Sequence, residues 1–178
     1  MRKLSPAKKI TMSAMVCALS LLFLYAASVL PTMRLACYFL SAVFVYALAY
    51  EGAYLASVLA FIATSVLAFF VLPEKMSLIP YVTLLGHYGI LKRAVDMHVP
   101  TRWGRFLVKL LYCNVLTALG GFIALEVLGL PLLTMLPKLS VWVLVLVAEA
   151  AFIVFELLFL FAARLYEAKI RHLILPRR

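Results

Sequence analysis

Residues 77–109 read SLIPYVTLLGHYGILKRAVDMHVPTRWGRFLVK. The first half, about Ser77 to Leu91, is apolar but short, and Pro80, Gly86 and Gly89 interrupt it. A helix needs about 20 apolar residues to cross the hydrocarbon core, so this stretch fits either a crossing or a re-entrant segment. The second half turns basic at Lys92, Arg93, Arg102, Arg105 and Lys109, and it decides the matter. Basic residues in short loops are held on the cytoplasmic side during insertion. With a crossing at 77–91, this cluster shares a side with Arg2, Lys3, Lys8 and Lys9 and with Arg164, Lys169, Arg171, Arg177 and Arg178. Only Arg34, Lys75 and Lys138 are left outside. A re-entrant segment would put the central and C-terminal clusters on opposite faces and break the rule. The sequence therefore predicts six crossings with both termini in the cytoplasm.

Working outward from this stretch, the other spans are about 10–30, 35–50, 53–72, 106–128 and 139–163. The first ends at Pro31, which lacks an amide hydrogen and restricts the residue before it. Glu51 and Gly52 alone part the second and third. Of the 178 residues, 67% are hydrophobic and 13% charged, well beyond the apolar share of an ordinary soluble domain. The expected fold is an all-α polytopic membrane helix bundle, 1–178 forming a single integral membrane domain with no soluble part, in the cytoplasmic (inner) membrane of a bacterium. The first apolar run follows basic residues as a signal peptide does, but it is longer and lacks a clean small-residue cleavage site, so it reads as a retained helix. The two long connections differ: 92–105 is basic, whereas 126–138 is apolar with Pro131 and Pro137 and is expected to lie at the interface or fold back over the bundle.

The formal charge of +10 is divided among separate clusters and makes no continuous basic face, so no nucleic-acid partner is expected. Cys17, Cys37 and Cys113 have no CxxC spacing and read as small apolar filler. The chain has no HExxH pair, no GxSxG elbow and no Gly-rich phosphate loop. Neither an enzyme nor a cofactor or metal site is expected.

Polar groups within a bilayer are costly unless paired or wetted, which singles out His87, Asn114, Thr117, Glu149 and Glu156. Glu149 and Glu156 are seven apart and so share a helix face. His87 sits in the segment with the most breaks, where freed backbone groups can meet a substrate. Arg34, Glu74, Lys75, Tyr81 and Trp142 gather near external helix ends, and for Tyr81 and Trp142 an interfacial-anchor role competes with ligand contact. The candidate substrate-binding residues are Arg34, Tyr81, His87, Asn114, Trp142 and Glu149. Interhelical hydrogen bonding is the competing role for Glu149, Glu156 and His87.

Small residues recur at four-residue spacing in the first helix, at Ala14 and Ala18, and again in the third at Ala53, Ser57, Ala56, Ala60 and Thr64. Such spacing lowers one helix face so that another backbone can approach. These faces serve either packing within the chain or docking of a partner. The basic N-terminal tail, the Ala14-Met15-Val16-Cys17-Ala18 helix, six spans in this length and cytoplasmic termini together resemble the substrate-binding S component of energy-coupling factor transporters. That resemblance covers nearly the whole chain. It implies capture of a vitamin or transition-metal ion from outside, reliance on a transmembrane T component and ATPase subunits for energy, Ala14 and Ala18 as the T-component contact, and a lid role for 126–138. No vitamin-specific binding sequence of that family is matched here. The alternatives are a membrane scaffold or interaction protein of the cell-envelope type, and an intramembrane enzyme if Glu149, Glu156 and His87 converge.

Overall fold

The computed structural model describes residues 5–122, 141–166 and 168, and all the elements among them are helical. Two compact units are present, Met1–Gly120 and Gly121–Arg178. The 126–138 connection lies outside the described residues. So do Arg2 and Lys3, and Lys169, Arg171, Arg177 and Arg178.

In the first unit, α1 spans Pro6–Val29 and starts where Ser5 accepts a hydrogen bond from the Lys8 amide, with Pro6 in the first turn. It stops before Pro31, and a short 3-10 turn, Pro31–Met33, reverses the chain into α2, Arg34–Tyr50. Glu51 and Gly52 then turn it into α3, Tyr54–Val71. Gly52 has φ +78°, and two bonds close the end of α2: Gly52 N–H to Ala49 O at 3.1 Å and Ala53 N–H to Leu48 O at 3.3 Å. This is the Schellman arrangement, in which a left-handed residue lets the last carbonyls of a helix be satisfied. Two residues suffice for the reversal for that reason.

The fourth helical stretch is irregular. A 3-10 turn, Lys75–Leu78, leads through Pro80 into a π turn, Tyr81–Leu85, and then into α4, Gly86–His98. Pro80 has no amide to offer, and the ladder resumes one residue wider when the Gly86 N–H reaches Tyr81 O. α4 continues through Lys92 and Arg93 to His98, so the basic connection expected over 92–105 shortens to Val99–Thr101. The reason lies in the pattern: Gly89, Lys92, Val95 and Asp96 continue one helix face, and the charges are held by side-chain partners instead of loop water. α5, Arg102–Phe122, follows. In the second unit α6 spans Val141–Leu165.

Among the described residues, three helical stretches are long and apolar enough to cross a membrane: Pro6–Val29, Pro31–Tyr50 and Tyr54–Val71. α2 is the most enclosed of them, with nine buried residues from Cys37 to Ala49. α3 turns Ser57, Ala60, Thr64 and Ala68 inward, all small, so α1 can lie close against it. The Cys17 thiol donates to Ala60 O at 3.5 Å across that seam. Ser20 and Ser41 exchange weak hydroxyl-to-carbonyl bonds of 3.4 and 3.5 Å between α1 and α2. α4 meets α2 at Gly89, where an added Cβ would lie 3.0 Å from Ala42 O and 2.8 Å from Tyr46 Cβ. Four residues further along both helices, Arg93 stacks over the Tyr50 ring at 4.4 Å, so α2 and α4 run in the same direction. α1 and α3 run the opposite way.

Candidate functional site

This up-and-down order gathers like groups at each end of the first unit. At one end lie the first turn of α1, the 51–53 turn, the last turns of α4 and the start of α5. Here Tyr54 donates to Met97 Sδ at 2.7 Å, Lys109 donates to Asp96 Oδ1 at 2.7 Å, and Arg105 Nε donates to Val99 O at 2.7 Å. Lys92 and Lys109 are only 1% and 4% exposed, and Glu51 is also buried. Buried charges need partners, and the Lys109–Asp96 pair supplies one of them. The basic residues that the sequence assigned to one side, Lys8, Lys9, Lys92, Arg93, Arg102, Arg105 and Lys109, thus share one end of this unit.

The other end carries the Arg34–Glu74 ion pair, 2.5 Å long and more than a third exposed on both sides. Glu74 also accepts from Ser77 Oγ at 2.9 Å, and Tyr38 donates to Ser77 O at 2.6 Å. Lys75 donates to the Phe69 carbonyl and lies over the Phe69 ring. Arg34 is therefore a clamp between the start of α2 and the segment leading to Pro80.

Between the ends, Tyr81 is fully buried in an apolar cluster with Leu24, Ala27, Tyr38, Ala68 and Leu72. Its ring lies 5.7 Å from Phe61. Its hydroxyl, like that of buried Thr64, has no hydrogen-bond partner among the described residues. His87 is half-buried with its ring edge-on between Phe61 at 5.5 Å and Tyr112 of α5 at 5.7 Å. Tyr81 and His87 are thereby brought together through their shared ring contact with Phe61. Arg34 is held apart from them by its pairing with Glu74, and Asn114 is exposed on α5. In the second unit, Glu149 is half-buried and Glu156 is buried. The inward positions Phe152, Glu156, Phe159 and Ala163 form one stripe of α6 that Glu149 continues. Trp142 belongs to α6, and its side chain lies outside the described residues. Among the described residues no three His, Cys, Asp or Glu side chains gather as metal ligands would.

The two small-residue series part company. Ala53, Ser57, Ala60 and Thr64 are buried in the helix seams, whereas Ala14 and Ala18 are exposed. With Thr11, Met15, Leu22, Tyr25 and Val29, they make an outward strip along α1.

The buried hydroxyls of Ser20 and Ser41 carry no motif in the sequence, and Thr64 stands out there only as a small residue of the α3 series. Sequence reading placed Lys92 in a loop, although Lys92 and Asp96 stand four apart, a spacing that suits a helix. In comparisons with known proteins, no family model, no curated protein and no solved structure matches this chain.

Proposed function

We propose that this chain is a small-solute-binding subunit of a multi-pass transporter in a bacterial inner membrane, similar to the S component of energy-coupling factor systems. In this reading it has six crossings and cytoplasmic termini, and a separate T component and ATPases drive it. The observation that carries the reading is the exposure of Ala14 and Ala18 while Ala53, Ser57, Ala60 and Thr64 at the start and middle of α3 are buried within the chain. Exposed small residues at four-residue spacing in an apolar helix offer a partner helix close backbone approach, which is how helices associate where lipid removes the hydrophobic driving force. The ligand is a vitamin-like molecule or a metal ion. In the first unit His87 and Asn114 are the candidates for its contact, since Tyr81 and Arg34 serve packing and clamping; in the second unit, taken by itself, Glu149 and Trp142 are the candidates.

The use of Tyr81 and Arg34 within the fold favours a second reading, a non-enzymatic membrane scaffold that offers the same α1 strip to another membrane protein. An affinity pull-down of the tagged chain in mild detergent, beside the Ala14→Leu, Ala18→Leu double variant, separates the two. Recovery of a T component and ATPases by the native chain and their loss in the variant is the expected result. Recovery of cell-envelope proteins, or of nothing, would replace the transporter reading with the scaffold.

A further inference from the structure

An open groove of about 240 Å³ runs between the first turn of α1 and the start of α3. Small residues, Gly52, Ala53 and Ala56, line it together with Lys9, Tyr54, Leu55 and Leu59. Deeper along the same seam, Met12 and Val16 pack against the cluster containing Ala53 and Ala60. Leu55 and Leu59 are 75% and 57% exposed, and Ile62 and Val66 prolong their strip along α3. Among the described residues no acidic side chain lines the groove.

The lysines beside it are not there to stabilise α1. Lys8 and Lys9 lie in its first turn, where the positive end of the helix dipole disfavours a cation and where the helix has no acidic residue. An anion held at Lys9 relieves that conflict. A free phosphate would have no use for the exposed leucines, and a neutral lipid none for Lys9. Charge and apolar surface together select an amphiphile. We propose that this groove holds the phosphate headgroup of an anionic phospholipid against Lys9, with one acyl chain lying along Leu55 and Leu59. The proposal rests on α1 and α3 spanning a membrane and is independent of the transport reading.

The test is photolabelling of the full chain in nanodiscs by phosphatidylglycerol with a photoactivatable acyl chain, and mapping of the adducts by mass spectrometry. Labelling should concentrate on residues 55–66 and fall about fivefold in Lys9→Gln, the loss expected for one lysine near an anionic surface. Lys9→Arg should retain it, and Ala56→Phe, which fills the groove, should abolish it. Equal labelling by the phosphatidylcholine analogue, or unchanged labelling in Lys9→Gln, would overturn the proposal. Loss of labelling in inorganic phosphate but not in sodium chloride of equal ionic strength would also overturn it, in favour of a free anion.

Discussion

The two ends of the first unit hold charge in opposite ways. At the end with the 51–53 turn, Lys92, Lys109 and Glu51 are enclosed, and the Lys109–Asp96 pair is shielded on the lysine side. At the other end Arg34 and Glu74 meet in the open. The geometries are similar, but the surroundings set the energies. A pair withdrawn from solvent depends on each partner to offset the other's desolvation, whereas an exposed pair is screened and contributes little. The enclosed end thus depends on its charge pairing as well as on the apolar cluster of Val16, Val45, Leu48 and Ala53, and the open end on apolar packing around Tyr38, Leu72 and Leu78.

The sharpest way to break this comparison is Asp96→Ala. It removes a partner of a lysine that is 4% exposed and should lower stability by about 3 kcal/mol, the low edge of the range for a broken buried pair, because Asp96 is itself partly open. Thermal unfolding in detergent measures it; a loss as small as that of an exposed pair would refute the contrast. Next comes Gly89→Ala at the α2–α4 crossing. Since the nearest obstacles include the Ala42 carbonyl, which cannot rotate away, overpacking should destabilise by about 2 kcal/mol. Gly52→Ala should cost about 1 kcal/mol by the same measurement, purely from its left-handed backbone, because no atom lies near the added Cβ. The smallest effect is expected at the open end. Arg34→Ala should cost about 0.5 kcal/mol and become silent at high salt, and a loss equal to that of Asp96→Ala would show that both ends are built alike.

The α1 strip adds a contrast of its own. Ala60→Leu, inside the α1–α3 seam, should destabilise by about 2 kcal/mol. The Ala14→Leu, Ala18→Leu variant should unfold as the native chain does, within about 0.5 kcal/mol, because its side chains face outward. A pull-down difference between native and variant would then report partner contact and not misfolding.

Much of the architecture was legible in the residues. Helix class, the stop at Pro31, the two-residue turn at Glu51 and Gly52, and the shared end of Lys9, Arg93 and Arg105 all follow from local chemistry: a missing amide, a left-handed glycine, and runs of apolar side chains between charges. The candidate site was less legible. Tyr81 reads as an interfacial or ligand residue because tyrosine favours boundaries, yet it fills the core because the π turn after Pro80 aims it at Phe61. Arg34 reads as a candidate ligand contact gathered with Glu74 and Lys75 near the external helix ends, and in the fold Glu74, forty residues away, pairs with it. Pairings at such separation leave no trace in spacing along the chain.

By itself, then, the sequence determined the first three helices, the breaks between them and the shared end of Lys9, Arg93 and Arg105, because these depend on neighbours within a few turns. Tertiary structure decided which small-residue face is spent inside and which is left open. Ala14 and Ala60 are the same residue type in helices of similar composition, and only the direction each helix turns toward α2 makes one a seam and the other a surface.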